Sequence, residues 1–494
     1  MSKIDLRSPE VEIREIRLNS ITGFAGSASG LVDCARCGGL GDRKRAFTQC
    51  MSCSTSKAIC TVSLIQDIAV ISHGPLGCGA RFHEYAFTYQ VNGAKRGVPN
   101  PKQIRVFSSD MGEEDTIYGG AEKLRTAIRE VYERVHPRAI FIVTTCASGI
   151  IGDDVEGVSN EAQEELGIPV SAIFCEGFRS RIWTTGFDAG YHGIVRKLVR
   201  PSEEKIPNLV NIVNFWGSDI FSKWFQALGL VPNYLTPYAT LESIADAAKA
   251  VVSVQICPTL GSYMGAAIEQ TCGVPELTEA PPYGIPQTDR WFRALGKATG
   301  KEAEAERFIE KERAEWLPRF EELKKSLEGK TAYVTAGAAH GHAMLAILKE
   351  YGMNTLGAGI FHHDSVYDNP SDSLDVLKTT IGDYGDVGNY TVCNRQEYEL
   401  VNLLNRLKPD IFVARHGGIV RWGARLGIPA LLVEDEHYGM GYEGLVRYGR
   451  RLLNTIENVE FIKNFSRHAK IPYSEKWLTS DPYTFLSEDG NGGH

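Results

Sequence analysis

Short apolar runs alternating with amphipathic helical stretches govern what this chain can become. RAIFIVTTC (138–146) reads as a buried strand, and GGAEKLRTAIREVYERVH (119–136) before it reads as an amphipathic helix. VSAIFCEG (170–177), NLVNIVNFWG (208–217), AVVSVQIC (250–257), TAYVTAGAA (331–339), NTLGAGIF (354–361), DIFVARHGG (410–418) and ALLVED (430–435) continue the series. Strands that alternate with helices build parallel sheets covered on both faces. So many strands exceed one open sheet. The pattern predicts an α/β fold of three Rossmann-like, doubly wound parallel-sheet domains at 60–205, 206–327 and 328–494, the last ending in a tail. Residues 1–59 have no strong period and are expected as an irregular, cysteine-rich segment wrapped on the first domain or on a partner. RPSEEKIPN (200–208) and the charged helix over 301–329 are the expected hinges.

Ligands of open α/β sheets collect outside the carboxyl ends of strands. That rule singles out Cys146, Cys257 and the loops after residues 339, 418 and 435. Cysteine usage points the same way. Of eleven cysteines, six fall between residues 34 and 78. The N-terminus lacks a signal-peptide core, so the default location is cytoplasmic, where clustered cysteines are metal or iron–sulfur ligands before they are disulfides. A net charge of −8 without a basic stripe argues against nucleic acid as a partner. No apolar run of about 18 or more residues exists, so no membrane helix is expected.

CARCGGLGDRKRAFTQCMSC (34–53) holds two C-x-x-C pairs, Cys34/Cys37 and Cys50/Cys53, twelve residues apart. The spacing is a little short for a zinc ribbon. HGPLGCG (73–79) follows the strand-like LIQDIAVIS and sets Cys78 in a Gly-Pro turn. LEGKT (327–331) imitates a P-loop, but Lys324 stands where the first glycine is required, so it reads as a helix-capping glycine before a strand. The chain is expected to bind no ATP itself. GMGYEG (439–444) matches G-x-G-x-x-G without the acidic residue a dinucleotide site needs.

The ordered set of Cys53, HGPLGC with Cys78, Cys146 before GIIGDDVE, Cys257 and His437 before GYEG resembles the α-type subunit of the nitrogenase component 1 superfamily over roughly residues 50–460. The resemblance implies that Cys53, Cys78 and Cys146 supply half the ligands of an eight-iron P-cluster-type cluster. A β-type subunit in an α2β2 assembly supplies the rest. It implies that Cys257 and His437 hold the two ends of a second large iron–sulfur cofactor, and that an ATP-dependent iron–sulfur reductase homodimer delivers electrons. Cys34, Cys37 and Cys50 are then left as an incomplete set.

Departures from dinitrogen-reducing members are informative. Ala339, in AGAAHGH (336–342), matches the arginine that braces their cofactor. Ala86 matches the arginine after H-G-P-x-x-C, and Gly418 lies near their homocitrate lysine. Tyr191 or His192 matches the histidine at the reactive face. These changes speak against molybdenum and homocitrate and for an all-iron, precursor-like cofactor. The chain is most similar to the methylthio-alkane reductase members. The implied reaction is reductive C–S cleavage of a small thioether, giving methanethiol and a hydrocarbon. The alternatives are the cofactor-assembly scaffold, which shares the 25-residue spacing of Cys53 and Cys78, and a dinitrogen-reducing α subunit. A carbon proton donor is required, and His192 and His340 are the candidates because their segments match pocket positions. His83 and His363 read as loop hydrogen-bonding residues.

Overall fold

A computed structural model describes residues 4–44, 53–80, 83–98, 105–369, 374–393, 396–433 and 439–486. The chain forms two compact units. The first joins Met1–Arg17 to Ser52–Leu277, and the second joins Leu18–Met51 to Thr278–His494.

The first unit carries two parallel sheets. In one the order is Val106–Ser108, Ile68–His73, Ala139–Thr144, Val170–Ile173. Its central strands are buried along their whole length because helices cover both faces. Leu124, Ile128 and Val131 of the helix Ala121–Val135 pack with Val155 and Val158 of the helix Val155–Leu166 over Ile71, Ile140 and Ile142. The expected amphipathic helix at 119–136 thus lies where its apolar stripe demands. The other sheet runs Val231–Leu235, Leu209–Val213, Val252–Gln255. VPNYL is not among the expected strands; its Pro232 cannot donate to a ladder, and it lies at the edge, paired only with Leu209–Val213.

The second unit holds one six-stranded sheet, ordered Ala430–Leu432, Ile411–Ala414, Thr331–Ala336, Asn354–Ile360, Tyr390–Cys393, Gly23–Gly26. Five strands are parallel and Gly23–Gly26 closes the edge antiparallel. The N-terminal region is therefore not wholly irregular. Residues 4–17 join the first unit and Gly23–Gly26 completes the sheet of the second. GFAG escapes period analysis because it is four residues long with a glycine at each end. The helix Glu302–Leu327, expected as a hinge, belongs to the second unit, where Phe308, Ile309, Phe320 and Leu327 are buried. Gly329 follows it with φ of 77°, the left-handed conformation expected of a capping glycine, and Thr331–Ala336 begins the sheet. Among the described residues, no helix is long and apolar enough to cross a membrane.

Candidate metal-cluster site

Three thiols meet in the first unit, each placed by the end of a regular element. Cys53 caps the helix Ser54–Ser63, its sulfur accepting from Ser56 N–H at 3.5 Å. Cys78 sits on the turn Leu76–Gly79 that follows the strand Ile68–His73. Cys146 opens the helix Cys146–Ile151 at the end of Ala139–Thr144. All three are exposed. A methyl built on Gly177 would lie 3.4 Å from Cys146 Sγ and 3.8 Å from Cys53 Sγ. Burial, then the neighbouring Cys53 and Cys146 sulfurs, push the Cys78 thiol above its usual range, so the three share one neighbourhood.

The motif residues around them hold the turns together. His73 engages Ser109 Oγ through Nδ1 at 2.9 Å and Asp153 Oδ2 through Nε2 at 3.0 Å. Ser148 Oγ donates to His73 O at 2.9 Å, and Asp153 Oδ1 accepts from Gly120 N–H at 2.9 Å. HGP and GIIGDD are thus two sides of one clasp. Burial lowers the His73 pKa despite Asp153, which favours the neutral ring. Thr55 Oγ1 donates to Cys175 O at 2.5 Å and Thr144 Oγ1 to Glu176 Oε1 at 2.8 Å, fixing the loop that carries Gly177.

Leu76, Ile117, Tyr118, Ile150 and Phe178 are all more than half exposed. Leu76 and Ile150 flank Cys78 and Cys146, and Phe178 follows Gly177. The helix Glu113–Tyr118 packs on Cys146–Ile151. Exposed apolar side chains grouped on one face of a chain mark an interaction surface.

Among the described residues no three His, Cys, Asp or Glu side chains close on a single metal ion. Soft sulfur ligands, an open surface and a glycine where a side chain would intrude fit a sulfide-bridged iron cluster.

Cys257 is buried and caps the helix Pro258–Cys272 after the strand Val252–Gln255. Two residues before it, Gln255 is 2% exposed and both its side-chain oxygen and nitrogen lack a hydrogen-bond partner. That amide reaches along the helix toward Gly261 and Gly265, so the group that fits a cofactor here is the buried Cys257 thiol itself, a soft ligand at a helix N-terminus. His437, the other expected ligand, lies outside the described residues, as does Cys50. Cys34 and Cys37 belong to the second unit and are exposed at the end of the helix Ala28–Arg36. Gly38 and Gly39 N–H donate to Ala35 O and Cys34 O, a Schellman cap that explains the CGG that follows.

His192 sits in the first unit with both ring nitrogens engaged, by Tyr263 OH at 2.7 Å and Ser8 O at 2.8 Å. Burial pushes its pKa down to about 4. His340, in the second unit, is 9% exposed on the first turn of Ala338–Glu350, beside Ala339. His363 Nε2 bonds Asp368 Oδ2 at 2.7 Å, the hydrogen-bonding role expected of it. His342 engages Tyr390 OH at 2.8 Å. Sequence reasoning missed Gly177, Asp153 as the clasp acceptor and Gln255. Gly177 had a signal, since VSAIFCEG ends in glycine at a strand terminus.

A sequence-family profile described as "Nitrogenase component 1 type Oxidoreductase" matches residues 53–457. The nitrogenase molybdenum-iron protein alpha chain of Methanosarcina barkeri is 27% identical over 441 residues, 78% of this chain and 82% of that one. The nitrogenase iron-molybdenum cofactor biosynthesis protein NifE of Methanococcus maripaludis is 27% identical over 415 residues, 81% of this chain and 82% of that one. The solved structure "Nitrogenase Cp1 at pH 6.5" superposes with a TM-score of 0.66 at 23% identity, covering 87% of this chain and 93% of that one, which establishes the shared fold.

Proposed function

Because the chain belongs to the nitrogenase component 1 type oxidoreductase family, we propose that it is the catalytic α-type subunit of a nitrogenase-like reductase that cleaves the C–S bonds of small methylthio-alkanes, releasing methanethiol and a hydrocarbon. The observation that carries the α-type reading is the exposed triad of Cys53, Cys78 and Cys146 inside an apolar rim. Three soft ligands leave a large cluster open, so a β-type subunit supplies the rest of an eight-iron, P-cluster-type cluster. Cys257 and His437 would hold the second, all-iron cofactor. When bound, these clusters supply low-potential electrons, which an ATP-dependent iron–sulfur reductase homodimer delivers.

The chain's own residues do the remaining work. Gly177 keeps the triad open, and the His73–Asp153 clasp fixes two of its three turns. Ala339 leaves the start of Ala338–Glu350 small and uncharged, which suits an apolar thioether. A thiolate leaves without much acid help, but carbon must gain a proton. His340 is the better donor, because both nitrogens of His192 are engaged and burial keeps that ring neutral.

A second reading, a scaffold for cofactor assembly, has specific support: the NifE relative matches at the same 27% identity as the alpha chain. A dinitrogen-reducing α subunit is disfavoured by Ala86, Ala339 and Gly418. The test is anaerobic co-purification with the β-type partner, analysis of iron, molybdenum and zinc, and an assay for methanethiol from ethyl methyl sulfide with the reductase and ATP. Turnover with iron and without molybdenum is expected. Cluster transfer to an acceptor with negligible turnover would establish the scaffold, and stoichiometric molybdenum would sink the all-iron cofactor.

A further inference from the structure

Residues 4–17 are bonded into the first unit along their length. Ile4 N–H donates to Gln270 Oε1 at 2.9 Å, and Gln270 Nε2 donates to Ile4 O at 2.6 Å. Leu6 O accepts from Arg196 Nε at 3.2 Å, and Thr185 Oγ1 accepts from Arg14 N–H at 3.3 Å. The segment ends on two buried arginines that reach one carboxylate, Asp188 of the helix Thr185–Leu198. Arg14 forks onto Asp188, Nε to Oδ2 at 2.9 Å and Nη2 to Oδ1 at 2.6 Å, and Nη2 also donates to Thr259 O at 2.6 Å. Arg17 Nη2 donates to Asp188 Oδ2 at 2.8 Å and to Ser262 Oγ at 3.4 Å. Its guanidinium lies over the Tyr263 ring, 5.2 Å from the centroid.

Two permanent positive charges therefore share one negative charge, with side-chain exposures of 0% for Arg14, 2% for Arg17 and 0% for Asp188. Nearby carboxylates have other partners. Glu15 accepts from Ser180 Oγ and Arg181 N–H, and Glu156 pairs with Arg196 at 2.9 Å. Arg17 Nε and Nη1 are buried and have no hydrogen-bond partner. A buried charge with unmet donors is costly until an anion completes it. Thr259, Ser262 and Tyr263 lie in the first turns of Pro258–Cys272, whose cap is Cys257. The positive end of that helix adds to the excess. The unmet donors and the surplus positive charge thus lie against Ser262 and Tyr263, within the first two turns of the helix that Cys257 caps.

We propose that Arg17 is an anion-binding residue for the cofactor held at Cys257, donating Nε and Nη1 to an anionic acceptor atom of that group. The assignment rests on the reading that Cys257 holds a second iron–sulfur cofactor. The arginine is a positioning and charge-balancing residue delivered by the N-terminal segment.

The test compares wild type, Arg17→Met and Arg17→Lys, each with its partner, prepared both cofactor-loaded and cofactor-free. In loaded Arg17→Met, second-cofactor iron should be lost to a chelator roughly tenfold or more faster, the scale of one lost charge-assisted hydrogen bond. Its midpoint potential, followed by electron paramagnetic resonance, should move more negative because a positive charge has left. Arg17→Lys keeps the charge without the fork and should fall between. In cofactor-free protein, Arg17→Met should raise the melting temperature by removing an uncompensated charge. A melting temperature that falls in both forms, with iron retention and potential as in wild type, overturns the assignment alone. Wild type without second-cofactor iron overturns the reading at Cys257 and the assignment with it.

Discussion

Cys53 shows how far a single residue can be read. Its place in C-x-x-C makes it a candidate zinc-ribbon ligand, and the family resemblance carried by H-G-P-x-x-C downstream assigns it instead to a larger cluster. Its thiol lies beside Gly177 with that of Cys146, while Cys34 and Cys37 stand exposed on a helix end. Cys53→Ser should lose the interface-cluster iron and its paramagnetic signals, whereas Cys34→Ser and Cys37→Ser should keep both. Loss of about one zinc per chain from each of the three variants, with iron retained in Cys53→Ser, would restore the ribbon. Gly177→Val should also lose the cluster, because its Cβ would press on Cys53 Cβ at 3.2 Å and its methyls would fill the space against both sulfurs, while overpacking costs stability only about 1–3 kcal/mol. Retained cluster iron in that variant would show that Gly177 is not part of the cradle. The glycine that ends VSAIFCEG was visible in the sequence, but its role was not, since its neighbours Cys53 and Cys146 come from two other segments.

At the scale of elements, the helix Thr185–Leu198 ties the N-terminal segment to the first unit through Thr185, Asp188, His192 and Arg196. His192 makes that junction pH-sensitive. Its folded pKa is about 4, below an unfolded value near ~6.5. Between those values the unfolded chain binds a proton that the folded chain refuses, so stability rises with pH. The contribution is complete above about pH 6.5 and fades as pH falls toward 4, by up to about 3 kcal/mol. Burial lowers His73 too, with the same sign. Denaturant unfolding at pH 5 and pH 7 should show a smaller difference for His192→Gln than for wild type. An unchanged difference would place the sensitivity elsewhere. The long strands behind these junctions were plain in the sequence, but VPNYL and GFAG were not. Edge positions tolerate proline and glycine that a central strand would not.

For the whole molecule, the apolar rim is the feature with most consequence. Leu76, Ile117, Tyr118, Ile150 and Phe178 remain exposed in one chain although burial would favour them. Tyr118→Asp and Ile150→Asp place a charge in that surface without touching the core. Each should leave the isolated chain's stability within about 0.5 kcal/mol, because the sites are exposed. Affinity for the β-type partner should fall roughly tenfold or more, measured by co-purification and native mass. Unchanged assembly would move the interface off the thiol face.

Period by itself determined the α/β class and the strand ends that carry Cys146 and Cys257, because these depend on neighbours along the chain; the thiol set was proposed from the family resemblance of the ordered motifs. Only the tertiary structure decided which groups complete those sites. His73 meets Asp153 across 80 positions, Cys53 meets Gly177 across more than a hundred, and Arg17 meets Asp188 across 171. Burial and charge balance are properties of such meetings. One chain segment cannot reveal that two arginines will share a single carboxylate.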